Sequence, residues 1–199
     1  MTYNILLTGV GGQGLMLLSA VLGEASLSSN INVVTQEQHG LAQRSGSISA
    51  HVRIGEAYSP MVPYGMADMI IAMEAMEALR YIEYLKWDGI VIMNSRLIHP
   101  VIETNKLVKN RRENLSYVSL EEINEKIGKV TDNVKIIDAN SLAVESGNPR
   151  TENIVLLGTA SKSISFPLKR EKILEAIKKI VPERTIEANV KAFELGESV

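Results

Sequence analysis

The chain has 199 residues, 45% of them hydrophobic and 22% charged, and its formal net charge is −2. These values are ordinary for a globular protein and give no electrostatic footprint for binding nucleic acid or an anionic membrane surface. With zero cysteines, the chain cannot form a disulfide, a thiolate zinc site or an ordinary iron–sulfur cluster.

Three further features bear on the location of the protein and on metal binding. No apolar run approaches the roughly 20 residues that span a bilayer, and the N-terminus lacks the pattern of a signal peptide. We therefore expect a cytoplasmic protein with no membrane partner. The three histidines include no H-x-x-x-H pair, so the sequence predicts no metal site.

The chain opens with a short apolar strand, a glycine-rich turn and an amphipathic helix. The strand is predicted over 5–8 and the helix over 15–24. Glycines permit a tight turn, close approach of backbone to a phosphate and close packing of helix on strand, while the helix N-terminus offers unpaired N–H groups. This context predicts a phosphate-bearing ligand, and a turn without a ligand is the alternative. The residues concerned are Gly9, Gly11 and Gly14, which match G-x-G-x-x-G, together with Gly12 and Gln13.

A second strand over 31–35 leads into a polar loop over 36–47 and then an alternating strand over 47–54. Glu37 stands where the acid that binds a dinucleotide ribose is expected, although an acid in an exposed loop is also common. Loops of this length are frequently functional. Arg44 is interpreted either as a functional cation or as a solvated charge, and His51 either as functional or as an exposed strand residue.

The remaining elements alternate between strands and helices and predict one α/β domain over 1–199. Continuously apolar strands favour a three-layer, Rossmann-like fold with a mainly parallel, mixed sheet and C-terminal helices. The strand over 47–54 is the candidate for an antiparallel position, and Ser119 with Glu122 forms a capping box. Strands are predicted over 67–72, 89–93, 115–118 and 134–138, helices over 73–87, 120–126, 151–163, 168–181 and 183–195, with Gly196 ending the last, and a polar, basic segment over 101–113.

Several motifs resemble one enzyme family. The glycine loop over 9–14, the run over 37–44, the run over 45–55 and the segment over 189–196 are similar to the gamma-type subunit or domain of 2-oxoacid:ferredoxin oxidoreductases, in particular the indolepyruvate branch. The resemblance covers essentially the whole chain, and the long middle motif is the most specific part. Ser45 stands where the family usually has glycine, which leaves the loop conformation open because serine adopts positive φ only at a cost.

The resemblance implies a reaction and a division of labour. Arylpyruvates would be oxidatively decarboxylated on thiamine diphosphate and transferred to coenzyme A, with electrons passing through [4Fe-4S] clusters to ferredoxin. Thiamine and clusters would lie on a large (alpha) partner subunit, in agreement with the absence of cysteine here. The glycine loop would hold coenzyme A phosphates or close over the thiamine site. The loop residues expected to face the partner and the 2-oxoacid carboxylate are His39, Arg44, Ser45 and Gly46.

Three alternatives stay open at this point. The chain could be the gamma subunit of a pyruvate or 2-oxoglutarate enzyme. It could be a stand-alone NAD-dependent dehydrogenase, as the glycine fingerprint taken by itself suggests. It could also be a purely structural subunit in which the glycine loop only packs.

Overall fold

A six-stranded mixed sheet forms the centre of the computed structural model, which describes residues 2–39, 46–98 and 118–199. In spatial order the strands are β2-β3-β1-β4-β5-β6. The strands β1, β4, β5 and β6 run parallel to one another, and β3 is antiparallel to both β1 and β2. The strand bounds are β1 Thr2–Val10, β2 Val33–His39, β3 Ser47–Gly55, β4 Ala67–Ala72, β5 Leu85–Asn94 and β6 Val134–Ile137.

Helices cover both faces of this sheet and enclose two apolar cores. The larger core lies on the face where Leu7 of β1 meets Leu18 and Leu22 of α1. The smaller core lies on the opposite face, where Leu6 meets Ala75 of α2. The predictions of a three-layer α/β fold and of an antiparallel strand over 47–54 are confirmed. The helix bounds are α1 Leu15–Ser28, α2 Ala75–Arg80, α3 Leu120–Ile127, α4 Ala139–Glu145, α5 Glu152–Ser161, α6 Arg170–Ile180 and α7 Ile186–Glu197.

Short sequence patterns predicted several helices and strands correctly. Ser119 caps α3 through the Glu122 N–H, and the Glu122 carboxylate accepts the Ser119 N–H in return, so the predicted capping box is confirmed. The predicted strands over 67–72 and 134–138 are confirmed as β4 and β6, but β6 is an edge strand in which only Ile137 is buried, so the prediction of a buried strand there is wrong. The predicted basic segment over 101–113 and residues 115–117 of a predicted strand lie outside the described residues.

The prediction of one helix over 73–87 is wrong. The helix α2 ends at Arg80, a short 3-10 helix spans Ile82–Tyr84, and β5 begins at Leu85. Tertiary contacts decide this boundary, because the Tyr84 ring packs against Tyr64 at a centroid distance of 4.4 Å and the Gly65 N–H donates to the Glu83 carbonyl at 2.9 Å.

The second strand is longer than its apolar residues suggest. It continues through the polar residues 36–39, which pair with β3. Placing Glu37 in an exposed loop is therefore wrong, because its backbone lies opposite Ala50 in a regular antiparallel ladder and its side chain is only partly exposed. Backbone pairing, rather than hydrophobicity, sets the end of this strand.

The last helix does not end at Gly196, contrary to the prediction. The helix α7 runs on to Glu197 and crosses α5 at a pair of glycines. A Cβ on Gly196 would lie 2.0 Å from the Val155 carbonyl oxygen, and one on Gly158 would lie 2.1 Å from the Phe193 carbonyl oxygen. Both glycines are thus needed for close approach of two helix backbones.

Both faces of β3 are buried, so the interpretation of His51 as an exposed strand residue is wrong. The side chain is 0% exposed, its Nδ1 accepts the Val62 N–H at 3.2 Å, and its ring packs edge-on against Tyr84. Burial lowers the pKa of His51 below its ordinary value near 6.5. Burial therefore favours the neutral form of this ring in the folded chain.

This burial predicts an acid-dependent loss of stability. Below about pH 6.5, His51 becomes protonated in the unfolded chain before it does so in the folded chain. The free energy of unfolding therefore falls by up to about 1.4 kcal/mol per pH unit. A His51→Gln variant should lack this contribution, so its stability should fall less steeply between pH 6.5 and the lower pKa of the folded state. Urea unfolding of both chains at several pH values measures the difference, and equal slopes would contradict it.

Candidate functional site

A cleft of about 430 Å³ opens at the carboxyl ends of β1, β4 and β5. The helix after β1 packs on one face of the sheet and the helix after β4 packs on the other. In open α/β sheets such a switch of faces is where ligands bind. The cleft is lined by Gly12, Gln13, Gly14, Leu17, Met73, Arg96, Pro149, Arg150, Glu152 and Asn153.

The glycines of the loop meet distinct steric demands. A Cβ on Gly9 would lie 2.7 Å from Gln13 Oε1 and 2.9 Å from Leu15 Cδ1, so this position needs glycine for close packing. Gly14 caps α1 with φ 77°, and its Cβ would lie 2.6 Å from Asn153 Nδ2. Gly12 has φ 98° and no heavy atom within 4 Å of a built Cβ, so it faces open space on the cleft side.

Hydrogen bonds hold the loop in this shape. Gln13 Oε1 accepts the Val10 N–H at 2.8 Å, and Gln13 Nε2 donates to the Met73 carbonyl at 3.1 Å. One of the two carboxamide hydrogens of Gln13 is thereby used, and the second remains to be donated. Asn153, which is 1% exposed, donates from Nδ2 to the Gly14 carbonyl at 3.0 Å and so ties α5 to the loop.

The N–H groups offered to a ligand are those of the first turn of α1. The first intrahelical bond of this helix runs from the Leu18 N–H to the Gly14 carbonyl, so the N–H groups of residues 15–17 have no acceptor within the helix. The Gly11 N–H is not part of this set, because it donates to the Gly46 carbonyl at 3.1 Å. The helix dipole adds a partial positive charge at the same place.

Two arginines that sequence reasoning missed supply positive charge to the cleft. Arg96 Nη1 lies 3.0 Å from Glu152 Oε1, and the second oxygen of Glu152 accepts from Asn94 Nδ2 at 2.9 Å. Arg150 is exposed on the cleft wall and follows Pro149. A cleft with two guanidinium groups and a helix N-terminus suits an anion with several oxygen atoms, such as a phosphate.

A buried carboxylate braces the neighbouring end of β4. Glu74, which is 1% exposed, accepts the Glu77 N–H at the start of α2 and the Ile98 N–H, each at 2.9 Å. Burial, as the largest cause, raises the pKa of Glu74. Glu77 in turn accepts the Ser47 hydroxyl, so the start of β3 is fixed to α2.

Of the four predicted loop residues, the structure describes Gly46 and His39. Gly46 is joined to the glycine loop through Gly11. His39 is the last residue of β2, and its backbone pairs with Ile48. Arg44 and Ser45 lie outside the described residues.

Glu37 is not brought to the glycine loop. It pairs with Ala50 of β3, which pairs on its other side with Leu7 of β1. Two strand spacings, about 10 Å, therefore separate Glu37 from β1. In a dinucleotide-binding fold the strand carrying the ribose-binding acid lies directly beside β1, whereas β3 occupies that place here.

Residues 4–199 match a family model described as pyruvate ferredoxin/flavodoxin oxidoreductase. The chain belongs to this family. It is 44% identical over 197 residues to a Pyrococcus horikoshii protein named indolepyruvate oxidoreductase subunit IorB, covering 98% of this chain and 94% of that one. The resemblance of the sequence motifs to 2-oxoacid:ferredoxin oxidoreductases is thereby confirmed.

Two solved structures have the same fold. The gamma subunit of a keto/oxoacid ferredoxin oxidoreductase from Geobacter sulfurreducens aligns with a TM-score of 0.70 at 22% identity, over 98% of this chain and 96% of that chain. A 2-oxoglutarate:ferredoxin oxidoreductase from Magnetococcus marinus, with 2-oxoglutarate, coenzyme A and succinyl-CoA bound, aligns with a TM-score of 0.69 at 16% identity. The match covers 99% of this chain and 30% of the Magnetococcus chain.

Two properties of the described residues bear on metals and membranes. Among residues 2–39, 46–98 and 118–199, no group of three or more His, Cys, Asp or Glu side chains is arranged to hold a metal ion. In the same part of the chain, no helix is long and apolar enough to cross a membrane.

Proposed function

We propose that this chain is the small subunit of an indolepyruvate:ferredoxin oxidoreductase, which converts an arylpyruvate and coenzyme A to an aryl-acetyl-CoA and carbon dioxide while two electrons pass to ferredoxin. The observation that carries the proposal is the 44% identity to the IorB subunit over nearly the full length of both chains. Family membership alone supports the coarser statement of a 2-oxoacid oxidoreductase subunit.

The redox chemistry is assigned to the large subunit. A [4Fe-4S] cluster needs thiolate ligands, and this chain has zero cysteines, so its residues do not fit a cluster. The clusters are therefore assigned to the partner, through which ferredoxin would be reduced, and the family resemblance implies that thiamine diphosphate is bound there as well. The small chain contributes binding groups rather than a redox centre.

Its proposed contribution is the anion-binding cleft at the glycine loop. The N–H groups of residues 15–17 and the guanidinium groups of Arg96 and Arg150 would bind the phosphates of coenzyme A, with the second N–H of Gln13 as a further donor. Coenzyme A is present in the Magnetococcus relative. Glu37, about two strand spacings from β1, is assigned at most to an outer part of that ligand.

The loop over 39–46 is proposed to face the large subunit and the 2-oxoacid. The support is geometric, since the bond from Gly11 to Gly46 anchors one end of the loop beside the cleft. His39 and Ser45 would contact the partner or the ligand, and Arg44 would bind the carboxylate of the 2-oxoacid, for which a bidentate guanidinium is well suited.

Arg44→Ala is expected to raise the KM for indolepyruvate by about 10- to 100-fold, because a charge-assisted pair contributes about 1.5–3 kcal/mol. The measurement is steady-state kinetics of the assembled complex, with assembly checked by size-exclusion chromatography. Arg44→Lys serves as the conservative control and should lose less. An unchanged KM for indolepyruvate and for coenzyme A in an intact complex would contradict the role of Arg44.

The remaining alternatives make different predictions. A pyruvate or 2-oxoglutarate enzyme would prefer an aliphatic 2-oxoacid over indolepyruvate in the reconstituted complex. A stand-alone dehydrogenase would bind and reduce NAD without a partner, and the position of β3 between β1 and β2 disfavours it. A purely structural subunit would leave both KM values insensitive to changes in the cleft.

A further inference from the structure

Three buried polar side chains lie side by side on the sheet face that Tyr84 and Val62 cover. Thr8 of β1 is directly opposite Ser49 of β3, and His51 is two residues further along β3 on the same face. Their exposed fractions are 0%, 2% and 0%. This cluster of Thr8, Ser49 and His51 is separate from the cleft residues.

One polar atom of each side chain has no hydrogen-bond partner among the described residues. These atoms are Thr8 Oγ1, Ser49 Oγ and His51 Nε2. Buried polar atoms are nearly always paired, with protein or with ordered water, so three adjacent exceptions require a common explanation.

The donor and acceptor roles within the cluster follow from the contacts of His51. Its Nδ1 accepts the Val62 N–H, so the neutral ring carries its proton on Nε2 and donates from that atom. The two hydroxyls can each accept a hydrogen bond. On the same face of β3, the buried Glu77 carboxylate accepts the Ser47 hydroxyl and is already paired with Arg80 at 3.0 Å. Because the three cluster side chains are themselves neutral, a neutral ligand with both acceptor and donor capacity suits them better than an ion.

We propose that Thr8, Ser49 and His51 bind one internal water molecule, which accepts the His51 N–H and exchanges one hydrogen bond with each of Thr8 Oγ1 and Ser49 Oγ. This arrangement gives the water the three hydrogen bonds that are typical of buried waters. One water bridges polar atoms up to about 5.5 Å apart, and the Cβ atoms of a directly opposed pair such as Thr8 and Ser49 lie about 4.5–5.5 Å apart.

The water would join two strands that lead to the cleft. The strand β1 ends in the glycine loop, and β3 begins immediately after Gly46, to which that loop is bonded. The water site would therefore fix the position of the glycine loop relative to Gly46. It does not depend on the substrate proposed above.

A crystal structure of the complete chain with its partner subunit, at a resolution that shows ordered waters, tests the proposal. The expected result is a single peak of water density within about 3.2 Å of all three polar atoms. A direct hydrogen bond from His51 Nε2 to either hydroxyl, without such a peak, would overturn the proposal, and so would density for an ion.

A pair of variants sharpens the test. Thr8→Val combined with Ser49→Ala removes both hydroxyl groups that hold the water, so the peak should disappear. Its persistence would overturn the assignment. Thr159→Val is the matched control, because the buried Thr159 hydroxyl donates directly to the Gly196 carbonyl at 2.9 Å, and the peak should remain. If the double variant does not fold, the map of the unsubstituted complex decides the question by itself.

Discussion

A Gly196→Ala variant is expected to be less stable by about 3 kcal/mol or more, because overpacking of a well-packed contact costs about 1–3 kcal/mol and backbone atoms cannot move aside as side chains do. The added Cβ would lie 2.0 Å from the Val155 carbonyl oxygen and 2.9 Å from its carbonyl carbon. Relief requires α5 and α7 to separate, which would also stretch the bond from Thr159 to the Gly196 carbonyl. Urea unfolding monitored by circular dichroism measures the loss.

Gly23→Ala is the matched control for this experiment. Gly23 lies inside α1, and a Cβ built on it meets no heavy atom within 4 Å. Alanine there should raise the free energy of unfolding by about 0.5–1 kcal/mol, because it has the better helix propensity. If both substitutions changed stability in the same direction, the close crossing at Gly158 and Gly196 would not be what requires glycine.

An Arg150→Ala variant is expected to raise the KM for coenzyme A about tenfold, at the lower end of charge-assisted pairs because the side chain is exposed. Arg96→Ala should have a comparable effect, with an added contribution because it leaves the Glu152 carboxylate facing the anion. The KM for indolepyruvate should stay unchanged in both variants. Kinetics of the assembled complex, with each substrate varied in turn, provides both values.

An arginine outside the cleft serves as a control, because its removal distinguishes the effect of charge in the cleft from the effect of the net charge of the chain. Arg184 is exposed, like Arg150, but does not line the cleft. Arg184→Ala changes the net charge by the same amount and should leave the KM for coenzyme A unaltered. If Arg150→Ala also leaves the KM for coenzyme A unaltered, the proposal that the cleft binds the phosphates is contradicted.

The parts of the fold that were predictable depend on neighbours in sequence. The capping box at Ser119, the apolar run of β4 and the glycine turn after β1 are each complete within a few residues, and the structure contains all three. The absence of a crossover helix before β3 predicted its antiparallel position, because parallel neighbouring strands need a crossover connection.

The errors arose where distant residues decide the structure. Gly196 resembles a helix terminator until α5 is placed against it. His51 resembles an exposed strand residue until the segment containing Val62 covers it. The end of α2 at Arg80 is set by the packing of Tyr84 on Tyr64, which apolar periodicity does not reveal.

The cleft arginines were missed for the same reason. Arg96 and Arg150 are single charges in polar stretches, and only the fold brings them to one cleft. One usable signal existed for Arg96, which follows β5 by two residues and therefore lies at the carboxyl edge where α/β folds bind ligands. Residues near the ends of predicted parallel strands merit attention even without a motif.

We propose that this chain completes an arylpyruvate oxidoreductase whose redox centres lie on its partner. The most direct measurement compares coenzyme A-dependent ferredoxin reduction by the large subunit alone and by the two-chain complex, with indolepyruvate, pyruvate and 2-oxoglutarate as substrates. We predict turnover only in the two-chain complex and the highest kcat/KM for indolepyruvate. Full activity of the large subunit alone, or a higher kcat/KM for an aliphatic 2-oxoacid, would contradict this claim.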